Sequence, residues 1–470
     1  MVAAVFGALN RDIITAMTEP AIKQSGLQSE PDEEQLRGIV RDVLDYAAQR
    51  GAEQAEAAAS HNLGLSATAR LGDVESLEYT NDRGVGVTVY VGKRKGSAST
   101  SDFSAMALRE AVDKALSFAR FTGADDCAGL ADADRMAGDD LPDLDLYHRW
   151  DLAADQAIDM AIACENAARS LDKRITNSEG ANVSTGGGAR AYGNSHGFLR
   201  SLARSSHSLS CTVVGEQDGD MQRDYWYDVA RSPSALMDVE SVGRRAAQRT
   251  VDRLGARKIE TQNAPVVFVP ELARGFVGHV VAAIAGGAQY RRSSFLLDAA
   301  GETIFPAFFQ LQERPHIPGA MASAAYDNEG VATADRDIVV NGELQGYVLS
   351  SYSARRLGLA TTGNAGGTHN LLVPGTHDDL SALLAEMGRG LLVQELIGQG
   401  VNGVTGDYSR GAVGYWVENG ELAYPVHEVT IAGNLRELYK RIAAVGRDQD
   451  LRGGIRCGSL LVEEMKIAGA

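Results

Sequence analysis

The segment Val85-Gly-Val-Thr-Val-Tyr-Val91 decides the fold class of the N-terminal part of the chain. Its valines occupy every second position, which is the period of a β-strand with one buried face. The flanking segments follow the helical period instead, with one apolar stripe over residues 33–59 and another over 104–120. Between these helices, the period of two predicts several antiparallel strands within residues 62–100. Helices combined with antiparallel strands predict an α+β unit.

The same mixture of elements returns further along the chain. Helices are predicted at 155–171 and 236–254 with strands between them, and Pro265-Val-Val-Phe-Val-Pro270 then forms a short apolar strand. Beyond it, Asn341-Gly342 and Asn419-Gly420 predict two hairpins, because Asn and Gly tolerate the positive φ of a type I′ turn. The sequence therefore predicts an α+β protein, in which N-terminal α+β units are followed by a large, mostly antiparallel, β-rich C-terminal domain with flanking helices.

The chain of 470 residues is too long for one hydrophobic core. Residues 121–150 carry eight aspartates without a sustained apolar period, which predicts an exposed connector. We therefore expect five parts: a leader at 1–28, an N-terminal α+β domain at 29–120, an acidic linker at 121–150, a middle α+β domain at 151–255 and the C-terminal β-rich domain at 262–470.

Charge and targeting signals limit the possible partners and the location. With 45 basic and 62 acidic residues the chain has a net charge of −17, so direct contact with nucleic acid is not expected. The apolar segment 275–290 is too short to span a membrane, and the run 2–9 lacks the preceding basic residues of a signal peptide. The four cysteines are dispersed and suggest no disulfide framework. The expected location is the cytoplasm, without membrane contact.

Local motifs for catalysis are scarce. There is no HExxH zinc motif and no GxxxxGK[ST] phosphate loop, and no two of the nine histidines lie three or four residues apart. His279 falls on the apolar stripe of a helix predicted from Pro270. It is either a packed core or groove histidine or a single metal ligand, and one imidazole cannot hold a metal.

A glycine-rich run, Gly398-Gln-Gly-Val-Asn-Gly-Val-Thr-Gly-Asp-Tyr-Ser-Arg-Gly411, has two interpretations. Its five glycines let another backbone approach closely, as peptide binding by strand addition requires, but a twisted strand pair with bulges has the same glycine content. In the first interpretation, Arg410 pairs with a peptide carboxylate and Tyr408 stacks on the peptide, with Asp407 alongside. The segment Asn364-Ala-Gly-Gly-Thr-His-Asn370 allows the same two interpretations.

Five short segments make the chain recognisable: Arg94-Lys-Gly-Ser-Ala-Ser-Thr100, Gly193-Asn-Ser-His-Gly197, Ser351-Tyr-Ser-Ala-Arg355, Gly406-Asp-Tyr-Ser-Arg-Gly411 and Cys457-Gly-Ser-Leu-Leu461. Over residues 30–470 they closely resemble the PmbA/TldE branch of the TldD/PmbA metallopeptidase family. The resemblance implies a cytoplasmic bacterial metalloprotease subunit. It implies a complex with a TldD subunit that trims peptides, including modified microcin precursors, and degrades an antitoxin. An older family label, modulator of DNA gyrase, implies an indirect effect through peptides.

The catalytic motif of the resembled family is incomplete here. TldD subunits carry HExxxH on a helix, and the resemblance places this motif on residues 274–279. Arg274 and Gly275 replace the first histidine and the glutamate, so that His279 alone matches. The expectation is that this chain retains no catalytic residue of the motif, binds no metal and relies on zinc in its partner. The role of Cys457 is left open.

The leading hypothesis is a PmbA/TldE-like subunit of a TldD–TldE metalloprotease, inactive alone, that forms a heterodimer with a TldD-like subunit. His279, Asp407, Tyr408 and Arg410 are its candidate groove residues for flexible peptides. The alternative hypothesis is a non-enzymatic, homodimeric peptide-binding or scaffold protein, which the missing motif motivates.

Overall fold

The computed structural model describes residues 32–469, so the predicted leader at 1–28 lies outside the described residues. The chain divides into two compact units. The N unit comprises residues up to 136 together with 145–254, and the C unit comprises residues 137–144 together with those from 255 onwards. Within residues 32–469, no helix has both the length and the apolar character that a membrane crossing requires.

The N unit is one antiparallel sheet covered by helices. Its elements are α1 (Glu33–Gln49), β1 (Gln54–Arg70), β2 (Asp73–Val91), β3 (Arg94–Thr100), α2 (Ala105–Phe121), α3 (Ala154–Arg169), β4 (Ile175–Asn194), β5 (Leu199–Gln217), β6 (Asp220–Ala230) and α4 (Val239–Asp252). The six strands run in the order β3-β2-β1-β4-β5-β6, and every pair is antiparallel. This confirms the predicted α+β class and the strand character of the valine segment.

Two hydrophobic clusters hold these helices on the sheet. In one cluster Val40 of α1 and Val112 of α2 pack with Val87 and its neighbours on β2, all of which are fully or almost fully buried. In the other, Ile158 of α3 and Ala246 of α4 pack on the opposite end of the same sheet. The alternating valines are thus buried because helices cover their face of the sheet.

The first helix ends earlier than predicted. It stops at Gln49, and Gly51 adopts φ +90°, a conformation that ends helices. Ala55, Ala57 and Ala59 then alternate on the buried face of β1. Alanine favours helices and has no strong strand preference. The alanine-rich composition of residues 52–59 therefore led to a predicted helix where the structure has the start of β1.

The acidic segment is not uniformly solvated. Most of its aspartates are exposed, but Leu130, Leu144 and Leu146 are almost completely buried. These leucines follow neither the helical nor the strand period, which is why sequence patterns predicted only an exposed connector.

The C unit contains two sheets and short helices. Its elements are β7 (Gln262–Phe268), α5 (Pro270–Ile284), α6 (Gly286–Tyr290), β8 (Leu311–Glu313), β9 (Arg336–Val340), β10 (Glu343–Leu344), α7 (Ser351–Leu357), β11 (Leu371–Leu372), α8 (Leu380–Met387), β12 (Gly390–Ile397), β13 (Asp407–Glu418), β14 (Glu421–Asn434), α9 (Leu435–Lys440), β15 (Ile442–Val445), β16 (Ile455–Arg456) and β17 (Leu460–Ala468).

The larger sheet of the C unit closes on itself. Its order is β14-β13-β12-β7-β17-β15, and an additional β14–β17 pairing joins the two sides. The smaller sheet has the order β10-β9-β8-β11-β16. In these two sheets, β7 pairs with β12 and β11 with β16 in parallel, while the other strand pairs are antiparallel. The predicted antiparallel, β-rich character is confirmed.

Both predicted hairpin turns are present. Asn341 and Gly342 have φ of 50° and 80° between β9 and β10, and Asn419 and Gly420 have φ of 55° and 79° between β13 and β14. Positive φ at both central residues is the signature of a type I′ turn. These turns were predictable because four local residues are enough to specify them.

We predict that Gly342→Ala destabilises the C unit by about 2–4 kcal/mol. The position has φ +80°, and an added Cβ would lie 2.3 Å from the carbonyl oxygen of Phe305. Gly346→Ala is the matched control, since its Cβ would meet no atom within 4 Å, and its cost is within about 0.5 kcal/mol. Urea denaturation measures both free energies of unfolding, and equal losses would contradict the steric argument.

Candidate functional site

Helix α5 carries the positions that the sequence analysis aligned with the zinc motif. Pro270 occupies its first turn, and Val269 before it is extended, so the helix begins directly after β7. Phe276 anchors the buried face, stacking on Phe268 at a ring-centroid distance of 5.1 Å. This packing sets the rotation of the helix and hence the direction of every other side chain on it.

Arg274 is committed to an ion pair. Its Nη1 lies 3.0 Å from Oδ2 of Asp450, whose side chain is 1% exposed. The other oxygen of Asp450 lies 2.7 Å from Nε of Arg452, and Arg452 also reaches Glu271 on the first turn of the helix, at 3.0 Å. Arg274 and Arg452 both lie beside the buried carboxylate of Asp450, and this ion-pair network ties α5 to the 450–452 loop.

Gly275 is exposed, and a Cβ at this position would meet no atom within 4 Å. Packing therefore does not require a glycine here, and a larger side chain would meet no steric obstacle at its Cβ. A glycine contributes no donor atom for a metal, and the cationic Arg274 repels one. The side chains at 274, 275 and 279 do not fit a zinc ion.

Three of the four candidate groove residues come together in the C unit. The rings of His279 on α5 and Tyr408 on β13 meet edge to face, with centroids 6.0 Å apart. Burial lowers the pKa of His279, and the charge of Arg410 lowers it further, so the imidazole is neutral at pH 7. Burial raises the pKa of Tyr408, whose side chain is only 2% exposed, and Arg410 opposes that shift.

Asp407 is separated from these three residues. Side chains alternate across a strand, so Asp407 faces away from Tyr408 and Arg410. Its exposed carboxylate accepts hydrogen bonds from Thr405 Oγ1 at 2.7 Å and from Asn434 Nδ2 at 3.3 Å, and these bonds lower its pKa. In this structure Asp407 stabilises the loop before β13.

Two donors in the His279–Tyr408–Arg410 cluster are unsatisfied. Among residues 32–469, Tyr408 Oη and Arg410 Nε are buried and find no hydrogen-bond partner. Most buried polar atoms in folded proteins are hydrogen-bonded, and leaving a donor unmet costs about 1–3 kcal/mol. Unmet donors beside a neutral imidazole make this cluster the strongest candidate binding site on α5 and β13.

The glycine-rich run forms the connection between β12 and β13 and the first residues of β13. A Cβ at Gly400 would lie 1.9 Å from the carbonyl oxygen of Ser409, and Gly398 and Gly406 have φ of 82° and 80°. Close backbone contact and positive φ thus account for Gly398, Gly400 and Gly406. Binding of a peptide by strand addition stays a prediction.

The segment 364–370 is held by buried carboxylates of the same unit. Glu313 Oε1 accepts hydrogen bonds from Asn364 Nδ2 at 2.8 Å and from the backbone N–H of His369 at 2.7 Å. Asp327 accepts from the backbone N–H of Ala365 at 2.9 Å. These contacts explain the segment as a folded turn, in which the side chains of Asn364, His369 and Asn370 have hydrogen-bond partners within the unit.

Two sequence patterns that resemble hydrolase or nucleotide-binding motifs form connections between strands in this structure. Gly193-Asn-Ser-His-Gly197 has the spelling GxSxG, but it connects antiparallel β4 and β5, and Ser195 Oγ accepts the backbone N–H of Ala55 at 3.1 Å. Gly398-Gln-Gly-Val-Asn-Gly403 has the spelling GxGxxG and follows β12, but a strand comes after it. Neither pattern precedes a helix, so neither has the context of its motif.

Metal-ligating side chains do not converge in the part of the chain that the structure describes. Residues 32–469 contain no group of three His, Cys, Asp or Glu side chains placed to hold a metal ion. Cys457 is completely buried, and burial raises the pKa of its thiol. A neutral, buried thiol is a poor ligand and a poor nucleophile.

Asp327 predicts a specific pH dependence of stability. Burial raises its pKa from an ordinary 3.8 to about 6. Between these values the folded state keeps a proton that the unfolded state has lost, so the stability falls as the pH rises from about 4 to 6. A shift of this size corresponds to about 3 kcal/mol.

The measurement is urea denaturation of the wild type and of Asp327→Asn between pH 4 and pH 7. The asparagine cannot titrate, so the stability of the wild type relative to the variant should decrease by about 2–3 kcal/mol over this range. A stability difference that does not change with pH would refute the assignment.

Comparison with known proteins finds matches to one family in both units. Models of the PmbA/TldA metallopeptidase family match three stretches: domain 1 at residues 55–119, the central domain at 147–254 and the C-terminal domain at 261–469. The domains of this family thus cover most of the chain. The boundaries that we predicted from composition stay predictions.

Sequence relatives agree with the domain matches. The chain is 48% identical to metalloprotease PmbA of Escherichia coli O157:H7 over 442 residues, which cover 94% of this chain and 98% of that protein. It is 48% identical to a metalloprotease PmbA homolog of Haemophilus influenzae, with 93% and 97% covered. The chain belongs to the PmbA/TldD family, whose named relatives are metalloproteases.

Solved structures show the same fold. A Bacteroides thetaiotaomicron protein, described as a candidate modulator of DNA gyrase, matches with a TM-score of 0.88 and 28% identity over 92% of this chain and 98% of its own. TldE from Thermococcus kodakarensis matches with a TM-score of 0.79 at 21% identity, over 92% and 100%. The latter likeness concerns the fold alone.

Proposed function

We propose that this chain is the PmbA/TldE-type subunit of a cytoplasmic two-subunit metallopeptidase, in which a TldD-type partner holds the zinc. One observation carries the proposal: on α5, the guanidinium of Arg274 is bound to the buried Asp450, and Gly275 offers no carboxylate. This chain belongs to a family of metalloproteases and has the helix, but its residues 274 and 275 supply no metal-donor atoms. A second subunit that holds the zinc best explains this combination.

The ion pair of Arg274 opposes the binding of zinc on α5 of this chain. A zinc ion on α5 would meet one imidazole nitrogen and a permanent positive charge. Moving Arg274 away would remove one of the two cations beside the buried carboxylate of Asp450 and leave Arg452 as the other. The zinc of the partner would supply the Lewis acid, and this chain would supply part of the wall that holds the peptide.

The proposed substrates are flexible peptides, including modified microcin precursors and an unfolded antitoxin. A groove between two subunits admits an extended chain more readily than a folded domain, and extended chains bind through backbone hydrogen bonds to sheet edges. The cluster of His279, Tyr408 and Arg410 adds polar groups at one point of this wall.

The first test is hydrolysis of an unstructured fluorogenic peptide by the full chain, alone and mixed with a TldD-type subunit. We expect turnover in the mixture and none by the chain alone, and we expect a chelator to abolish it. The control is a mixture in which the glutamate of the partner's HExxxH motif is changed to glutamine, which should be inactive. Chelator-sensitive turnover by the chain alone would disprove the proposal.

Zinc content gives an independent test. Elemental analysis of the purified chain should find far less than one zinc per chain, whereas the mixed complex should hold about one per partner subunit. Stoichiometric zinc in the chain alone would contradict the donor-set argument at 274, 275 and 279.

The competing function is a non-enzymatic, homodimeric peptide-binding protein. The same missing donors on α5 favour it, because they do not by themselves require a partner. It predicts a self-dimer by light scattering, retention of peptide and no turnover whichever partner is added.

A further inference from the structure

Arg410 has no counter-ion among residues 32–469, unlike several other arginines of the same unit. Several other arginines of the C unit form ion pairs with carboxylates. Nη2 of Arg314 lies 2.7 Å from Oδ1 of Asp337, and Nε of Arg336 lies 2.6 Å from Oε2 of Glu313. Nε of Arg452 lies 2.7 Å from Oδ1 of Asp450. Within residues 32–469, the half-buried guanidinium of Arg410 has neither an ion pair nor a hydrogen bond. In a chain with 17 more acidic than basic residues, this unpaired charge is notable.

The neighbouring groups specify what the missing partner would be. Tyr408 Oη is buried, lacks a partner and lies on the same face of β13 as Arg410, two residues away. Both residues are donors, so their common partner is an acceptor. A half-buried cation with two unmet donors is built for an anion.

The net charge of the cluster selects the class of anion. Arg410 is its one permanent cation, and His279 across from Tyr408 is uncharged at pH 7 because burial lowers its pKa. One positive charge balances one carboxylate, whereas a phosphate dianion would keep an excess negative charge in a half-buried site.

We propose that His279, Tyr408 and Arg410 form a carboxylate-binding subsite, in which Arg410 pairs with a carboxylate of the peptide and Tyr408 donates a hydrogen bond to it. This inference rests on the proposed peptide-binding function and adds a specificity to it. His279 lies four residues after Gly275, about 6 Å along the axis of α5, so the bound carboxylate would sit close to the altered motif.

The carboxylate has two possible sources, the C-terminus of the peptide or an Asp or Glu side chain. Four labelled, unstructured peptides separate them: a free acid without acidic side chains, its C-terminal amide, an amide with one glutamate and the same amide with glutamine. Fluorescence anisotropy measures their binding to the full chain, and to its complex with a TldD-type subunit whose motif glutamate is changed to glutamine.

We expect one or both carboxylate peptides to bind about tenfold or more tightly than their neutral counterparts. Arg410→Gln should remove this preference and Tyr408→Phe should reduce it several-fold, while the neutral peptides bind the variants as they bind the wild type. Arg447→Gln is the matched control, because it removes an exposed arginine of the same unit that is paired with Asp378.

Equal binding of charged and neutral peptides would overturn the subsite, as would a preference that survives Arg410→Gln. Thermal midpoints of the variants show whether they fold. If Arg410→Gln is unstable, Arg410→Lys replaces it in the test. Lysine keeps the charge without the bidentate geometry, so it should retain part of the carboxylate preference. Since binding is measured without hydrolysis, a carboxylate preference in a chain that never supports turnover would uphold the subsite and refute the peptidase role. Turnover without a carboxylate preference would support the peptidase role and refute the subsite.

Discussion

The packing of Phe276 is the contact on which the arrangement of the C unit depends. Its ring lies 5.1 Å from Phe268, 5.8 Å from Tyr408 and 5.2 Å from Tyr439, and the hydroxyl of Tyr439 donates to the carbonyl oxygen of Phe276 at 3.1 Å. Aromatic rings packed from three sides allow one rotation of α5 about its axis. That rotation directs Arg274 to the 450–452 loop and His279 to β13, so the chemistry of the helix follows from its packing.

Local sequence predicted what local chemistry determines. The two Asn-Gly turns, the valine strand and the start of α5 at Pro270 depend on neighbours within four residues, and the structure has them all. The extent of α1 was wrong because alanine at 55–59 suits both a helix and a covered strand. The closure of the large sheet through β14 and β17 joins residues far apart in sequence, so no local pattern could indicate it.

The candidate site was predictable in part. The period of two along β13 already separates Asp407 from Tyr408 and Arg410, and applying it would have excluded Asp407 from the group. The approach of His279 to Tyr408 depends on how α5 lies on the sheet, and the pairing of Arg274 with Asp450 spans 176 positions. Such contacts are visible only in the folded chain.

Positions 274 and 275 on α5 differ in how strongly the surrounding structure constrains them. Gly275 is exposed and lacks neighbours, so a carboxylate could return there without disturbing the fold. Arg274 belongs to the ion-pair network around the buried Asp450, and a histidine in its place would be too short to keep the same contact. A carboxylate at 275 is compatible with the packing of α5, whereas replacing Arg274 breaks an ion pair. The packing of α5 is therefore maintained by contacts that hold a permanent cation at position 274, while Arg410, within the described part of the chain, stands without a counter-ion near His279.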